Sequence, residues 1–351
     1  LTDYFEGKEI LITGGTGSLG KMLIRLLLTE HNPKGIRVLS RDELKQWQLF
    51  RQLQDEGFRD RVAFLIGDVR DLPRLKRAFA GVDIVIHAAA MKQVGSCEDN
   101  PQEAIRTNID GAVNVMNAAI DCGVERVMNV STDKAVKPVN LYGATKMAAE
   151  KLFIAGNVYT GGHKTSLSCC RYGNVLGSRG SVAHVFKAQA DAGLPITITH
   201  KAMTRFWITL PKVARFLLDR IADMKGGEVF VPKMKSMSIH DMALAMGSRV
   251  RCECKRNDPR SIICPWCDGT FPKEMIVPEF SVTGIRQGEK LHEILFHEDE
   301  CCHEQSDYYT VLPKHNPAYG KGDKWELTSS RNPNGELNCE ELLAMLKETE
   351  L

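Results

Sequence analysis

Along the first half of the chain, short runs of aliphatic and β-branched residues alternate with longer stretches whose apolar positions recur every three or four residues. The runs at 9–13, 36–40, 62–66, 83–87, 127–131 and 166–171 predict strands. The stretches at 19–29, 43–55 and 101–119 predict helices between them, the third opened by Asn100 as cap and Pro101 in its first turn. Strands apolar on both faces and joined through amphipathic helices belong in a parallel sheet covered on both sides. The expected fold class is α/β, with a doubly wound parallel sheet.

After Arg171 this rhythm breaks. Glycines at 173, 177 and 180 and a short strand at 196–199 precede a helix near 211–224 and a strand near 228–231. A helix at 239–246 leads into a Cys-rich segment, and the tail holds an Asn-Pro-Asn-Gly turn at 332–335 and an amphipathic helix at 339–347. Such irregularity fits a second, smaller α/β domain interleaved with the first. The expected division gives residues 1–174 and about 207–231 to the first domain and about 175–206 and 232–351 to the second, with a Cys-rich insertion at 250–272. No internal repeat or low-complexity tract is present.

Charge narrows the class of partner. Among 351 residues, 46 Lys and Arg face 44 Asp and Glu, a net charge of +2 that argues against a nucleic-acid partner. No stretch approaches the ~18 apolar residues of a membrane span. The first residues, with Asp3, Glu6 and Glu9, do not read as a secretory signal, so a cytoplasmic protein without a membrane partner is expected. The eleven cysteines then read as reduced thiols or metal ligands rather than a disulfide framework.

Candidate chemistry begins at 13–20, Thr-Gly-Gly-Thr-Gly-Ser-Leu-Gly, between the first predicted strand and helix. Glycines there let the backbone turn tightly and let a pyrophosphate approach the helix N-terminus, where free N–H groups favour anions. Gly14, Thr16, Gly17, Ser18, Leu19 and Gly20 are the candidate dinucleotide contacts. The second strand ends Ser40-Arg41-Asp42, with Lys45 one turn on. Arg41 and Lys45 favour the 2′-phosphate of NADP, while Asp42 keeps NAD open as the less favoured choice. Asp68 and Val69 after the third strand suit an adenine contact. Ala88 and Ala90 after the fourth supply small residues beside the cofactor. The first domain would thus hold the dinucleotide and the second the substrate.

Tyr142 and Lys146 lie four residues apart on one face of a predicted helix, where an ammonium near the phenol would lower its pKa towards that of a useful base. Together with the glycine fingerprint they resemble the extended short-chain dehydrogenase/reductase family, built on the Rossmann sheet. Ser131-Thr132-Asp133-Lys134, at the end of the fifth strand, is the sharper signal, because an acid and a base beyond the redox tyrosine are what an elimination needs. This stretch looks like the inverting UDP-N-acetylglucosamine 4,6-dehydratases. Further matches are Met91-Lys92, the runs at 171–175, 177–181 and 203–207, and Gly-Ile-Arg-Gln-Gly-Glu-Lys at 284–290.

The resemblance implies a lyase cycle in which Tyr142 takes the C4 hydroxyl proton, Lys134 removes the C5 proton and Asp133 protonates the departing C6 hydroxyl, with Lys146 beside the tyrosine. NADP would take hydride from C4 and return it to C6, leaving a 4-keto-6-deoxy sugar inverted at C5. It also implies a nucleotide-sugar substrate, with pseudaminic-type and capsule sugars both compatible downstream, and a homo-oligomer. Arg205 and Arg286 are candidates for the substrate pyrophosphate, with Lys92 and Asn174 nearer the sugar; bracing of the packing is the competing role for Arg205. Asn108 is placed beside the cofactor, organising backbone or water, with plain helix packing as its competitor. An epimerase or a retaining dehydratase of a GDP-sugar on the same scaffold stays open, as does a non-catalytic cofactor-sensing scaffold.

The insertion departs from that family. Cys252, Cys254, Cys264 and Cys267 form a C-x-C and C-x-x-C pair nine residues apart, a spacing that can give a structural zinc four thiolates. Unligated thiols or a redox pair are the alternatives. Cys301, Cys302 and His303 make a second, incidental cluster, and the remaining cysteines read as small buried apolar residues.

Overall fold

The computed structural model describes residues 3–162, 164–178, 180–252, 273–312 and 325–349. The first half alternates as expected. Strand β1 (Glu9–Thr13) is followed by α1 (Ser18–Thr29), β2 (Gly35–Ser40), α2 (Glu43–Asp55), β3 (Val62–Ile66), α3 (Leu72–Phe79) and β4 (Ile84–His87). The single helix expected over 101–119 is instead α4 (Val94–Asp99), α5 (Pro101–Ile105), a π-turn at Arg106–Asp110 and α6 (Gly111–Cys122). Pro101 does start α5, but the Asn100 side chain makes no capping bond and donates instead to the Ser96 carbonyl at 3.1 Å. Then come β5 (Arg126–Val130), α7 (Leu141–Gly156) and β6 (Ser166–Cys170).

The chain continues through β7 (Asn174–Leu176), α8 (Val182–Asp191), β8 (Ile196–Ile198) and β9 (Thr204–Thr209). Next are α9 (Leu210–Asp223), β10 (Val229–Pro232), β11 (Lys235–Ser238), α10 (Ile239–Gly247) and β12 (Arg249–Cys252). Beyond the insertion lie β13 (Lys273–Ile276), β14 (Phe280–Val282), β15 (Ile294–Phe296), β16 (Cys301–Glu304), β17 (Tyr308–Leu312), β18 (Leu327–Thr328) and α11 (Cys339–Glu348).

Two compact units result: Leu1–Gly173, Leu210–Lys233 and Ile294–Thr328 in the first, and Asn174–Thr209, Met234–Glu293 and Ser329–Leu351 in the second. Among the described residues the first unit holds a nine-stranded sheet ordered β16-β17-β10-β6-β5-β4-β1-β2-β3. From β3 to β10 the pairs are parallel, and β17 and β16 add an antiparallel edge. This edge corrects the expected division, which gave everything after 232 to the second domain. Residues 294–328 belong to the first unit because β17 pairs with β10, whose register with β6 extends the main sheet.

The strand order reverses beside β1, with β2 on one side and β4 on the other, which is where open α/β sheets bind ligands. Ile10 and Ile12 of β1, Val38 of β2 and Ile86 of β4 join Leu23 and Leu27 of α1, Leu49 of α2 and Leu217 of α9 in one core. Leu11, also fully buried, takes the opposite face by the two-residue period of the strand. On the other side α3, α6 and α7 pack in series.

In the second unit β11, β9 and β7 form a three-stranded sheet, β14 pairs with β8, and β12 pairs antiparallel with β13. Helices α8, α10 and α11 close over a core of Leu176, Phe186, Trp207, Met242 and Leu342. The Asn332 turn forms as expected, with its amide donating to the Met234 and Gly335 carbonyls and Gly335 at φ +89°.

Candidate active site

The glycine loop fits a dinucleotide for two separate reasons. Gly14 sits at φ +67°, and a Cβ there would lie 2.8 Å from the Ala89 backbone after β4. A Cβ at Gly20 would fall on the backbone of Gly15, so α1 can lie against the loop only with glycine at position 20. No side chain caps the N-terminus of α1 at Gly17, a helix end of the kind that favours an anion. Thr16 is buried, while Ser18 and Leu19 are half-buried. The Thr13 hydroxyl bonds to His87 Nδ1 at 2.8 Å and accepts from the Ala89 N–H at 3.3 Å, locking the ends of β1 and β4 together. Burial and the nearby Lys146 charge push His87 down to about 3, so its imidazole stays neutral.

At the end of β2 the charges are already shared. Asp42 caps α2 by accepting the Lys45 N–H at 2.9 Å, and its carboxylate also pairs with the Lys45 ammonium. Lys45 is therefore not the second open cation the sequence suggested. Arg41 is 56% exposed and 3.5 Å from Asp68. Ser40 gives both its carbonyl and its hydroxyl to the Gln46 amide, a buried brace that sequence reasoning missed. Burial works to raise Asp68, but hydrogen bonds and charge from Arg70 and the charge of Arg41 hold it below the usual carboxylate range. The Val69 carbonyl accepts from the Asn114 amide at 3.1 Å.

After β4, Ala88 and Ala90 are half-buried and Lys92 is exposed. Asn108, in the π-turn, accepts from the Met91 N–H at 2.8 Å and donates to the Met91 carbonyl at 2.9 Å and the Thr145 hydroxyl at 3.0 Å. Its amide is fully used in fixing that backbone and α7.

The end of β5 gathers the expected catalytic group. Asp133 is fully buried; its Oδ1 accepts from the Thr132 hydroxyl at 2.9 Å and from the Lys134 ammonium at 3.0 Å. Its Oδ2, also buried, has no hydrogen-bond partner among the described residues. A buried carboxylate oxygen left without a donor is costly and marks a place where an incoming group would donate. Asn140 caps α7 by accepting the Gly143 N–H at 2.7 Å, which sets Tyr142 in the first turn. A Cβ on Gly143 would fall on the Lys134 carbonyl oxygen, so this glycine brings the start of α7 against the Asp133–Lys134 turn.

Tyr142 is half-buried, and loss of hydration pushes its phenol up to about 12. The opposing pull comes from the Lys134 ammonium and a hydrogen bond with Thr132. Lys146, expected to supply that cation, is not among these influences. Lys146 is itself buried, and desolvation pushes it down to about 8, with Cys169 and Glu150 working the other way.

In the second unit Arg205 is buried, and its guanidinium donates to the carbonyls of Thr204 at 2.7 Å, Lys290 at 3.0 Å and Leu291 at 3.2 Å. Its Nε faces Glu293 at 3.8 Å. The expected phosphate contact is at odds with a fork so fully engaged, and bracing of the 290–293 segment against β9 takes its place. Arg286 is exposed, with its N–H to Glu289 at 3.3 Å. Asn174 starts β7 opposite Trp207 of β9.

Of the four cysteines with metal-like spacing, Cys254, Cys264 and Cys267 lie outside the described residues, and Cys252 is the last residue of β12. Among the described residues no group of three or more metal-binding side chains occurs. No helix among them is long and apolar enough to cross a membrane.

The sequence profile of the family described as polysaccharide biosynthesis protein matches residues 10–313. The chain belongs to that family. Within it, the chain is 45% identical over 88% of its length to a protein of Campylobacter jejuni strain 81-176 named UDP-N-acetylglucosamine 4,6-dehydratase (inverting), covering 84% of that relative. A Rickettsia akari protein named UDP-glucose 4-epimerase is 42% identical over 69% of the chain and 71% of its own length. Among solved structures, Pen from Bacillus thuringiensis superposes with a TM-score of 0.84 at 32% identity, over 99% of both chains.

Thr132 and Gly143 were missed as site residues, although both lie inside runs singled out by sequence. Each acts through geometry that spacing does not encode. A hydroxyl directly before an Asp-Lys pair at a strand end, and a glycine directly after the candidate tyrosine, were the available signals.

Proposed function

We propose that this family member is a nucleotide-sugar 4,6-dehydratase that acts on UDP-N-acetylglucosamine and inverts C5. The observation that carries the proposal is the buried Oδ2 of Asp133, without a hydrogen-bond partner among the described residues, with Lys134 3.0 Å from the other oxygen and Tyr142 on the adjoining turn. An epimerase needs hydride exchange at C4 alone. An elimination also needs a proton taken from C5 and a proton given to the C6 oxygen. With the carboxyl proton on Oδ2 and Lys134 as the neutral amine, still donating to Oδ1, both groups are in the required form at once. Tyr142 takes the C4 hydroxyl proton, Lys134 takes the C5 proton, Asp133 protonates the leaving hydroxyl through Oδ2, and after hydride return to C6 a proton added to the opposite face of C5 completes the inversion. When bound, a nicotinamide supplies the hydride acceptor for C4 and the donor for C6.

The residues that would hold the dinucleotide are the 14–20 loop, Arg41, Asp68, Val69, Ala88, Ala90 and Lys146, with Asn108 supporting the backbone beside them. NADP is the favoured form, because Asp42 is spent on Lys45 and the α2 cap while Arg41 stays exposed. Lys92, Asn174 and Arg286 are the proposed contacts to substrate sugar and pyrophosphate.

Incubation with UDP-N-acetylglucosamine and NADP, followed by mass spectrometry, tests the reading. A product one water lighter, with no net cofactor reduction, is expected. A product of unchanged mass with its C4 hydroxyl inverted would favour the activity named for the Rickettsia relative.

For the insertion, Cys252, Cys254, Cys264 and Cys267 are proposed to hold a structural zinc. The support is their spacing and the antiparallel β12–β13 pairing that brackets the segment. About one zinc per chain is expected in elemental analysis of protein purified without chelator. A zinc-free, fully folded protein would leave the thiols unligated.

A further inference from the structure

We infer that Glu150, Arg171 and Glu300 form a positioning clamp that fixes the reactive face of α7 and balances the buried charge of Lys146. The inference rests on the dehydratase reading only in giving Lys146 its part in the reaction. Tyr142, Lys146 and Glu150 are spaced four apart along α7 and share one face. The third of them ends in a grip rather than in solvent. Both Glu150 oxygens accept from Arg171 at the end of β6, at 3.0 and 2.7 Å. The other side of the guanidinium donates to both Glu300 oxygens at 2.9 Å and to the Leu295 carbonyl at 2.7 Å. Arg171 and Glu150 are each 2% exposed in their side chains and Glu300 is 10% exposed.

The charges explain why there are two carboxylates. One suffices to neutralise one guanidinium, and the second is then surplus to Arg171. Among the described residues of the first unit Lys146 is the other buried cation, and the groups facing it leave it one anionic partner. His87 on β4 is neutral, and burial keeps the Cys169 thiol on β6 protonated. Glu150, on its own helix, is the remaining charge. Arg171 and Lys146 thus meet Glu150 and Glu300, a balanced set while Lys146 keeps its proton; Glu300 also accepts the His297 N–H at 3.3 Å and faces the charges of His297 and Lys151 from outside it. Stability alone is a poor reason for such a cluster, since well-packed apolar groups often replace buried ion sets without loss.

The test is competitive amine labelling of Lys146 across a pH series in the whole protein, read by mass spectrometry, beside the pH profile of kcat/KM. Glu300→Gln keeps an acceptor for Arg171 but removes the charge. It is expected to move the Lys146 labelling midpoint down by about one pH unit, with the alkaline limb of kcat/KM following. Glu300→Asp is expected to restore the wild-type midpoint. Arg171→Lys, which keeps the cation and loses the fork, is expected to hold the midpoint while kcat falls. An unmoved midpoint in folded Glu300→Gln overturns the charge balance, as does an equal shift in Glu300→Gln and Glu300→Asp. A moved midpoint in Arg171→Lys does the same, and unchanged kcat there overturns the clamp. Labelling needs no turnover, so a wild type that forms no dehydrated sugar would count against the proposed reaction and leave the clamp to be judged on its own.

Discussion

Asp133 at the end of β5 and Arg205 on β9 are both charged, both buried and both set in sequence runs that invite a functional reading, yet their hydrogen bonding is opposite in kind. Asp133 has one oxygen held by Thr132 and Lys134 and a second with no donor among the described residues. Arg205 has its donors on three carbonyls within its own unit and a carboxylate beyond them. The first group is arranged to meet something that arrives; the second completes the backbone around it. Burial and charge alone do not separate a reacting group from a brace. An unspent acceptor beside a second ionisable group, at the end of a central strand, does so here.

The contrast can be broken by substitution. Asp133→Asn should lower kcat by roughly 10²–10⁴-fold, the usual range for a lost proton-transfer group, while the melting temperature stays near wild type; unchanged kcat would end the assignment. Arg205→Met should show the reverse emphasis. Losing the guanidinium leaves the Thr204, Lys290 and Leu291 carbonyls without their donor, although Lys290 still faces Glu293 at 3.8 Å, and should cost ~1–3 kcal/mol in denaturant unfolding; a variant as stable as wild type would return Arg205 to the list of phosphate contacts. Gly143→Ala should fall between the two kinds, costing ~1–3 kcal/mol through overpacking and lowering kcat as well, because the new methyl displaces the Lys134 carbonyl. The smallest effect is that of pH. Lys146 is pushed down to about 8 from its ordinary value, so its ammonium is present below that pH and lost above it. A fall in kcat/KM on passing above about pH 8 is expected, and a profile flat to about pH 10 would remove Lys146 from the reaction.

The first half of the fold was legible because its strands are buried on both faces and its helices on one. Hydrophobic period therefore marks nearly every element from β1 to β6. Residues 294–328 were not legible, since an antiparallel edge joined to β10 depends on pairing far along the chain and not on local pattern. The same division runs through the site. Asp133, Lys134, Tyr142 and Lys146 announce themselves by residue type at a strand end and a helix start. What each is bonded to is a three-dimensional fact, and there the sequence reading missed that Asp42 takes up the charge of Lys45 and that Lys134 stands beside Tyr142. The hydroxyl of Thr132 and the missing side chain of Gly143 carry no signature except their neighbours.

The central claim is that the β5 end performs an elimination across C5 and C6 rather than a redox exchange at C4 alone. Turnover of UDP-N-acetylglucosamine in heavy water, followed by proton NMR of the product, reads this at the atom concerned. The account predicts a 4-keto-6-deoxy sugar carrying deuterium at an inverted C5. Turnover that leaves the C5 proton in place and the C6 hydroxyl intact would contradict it.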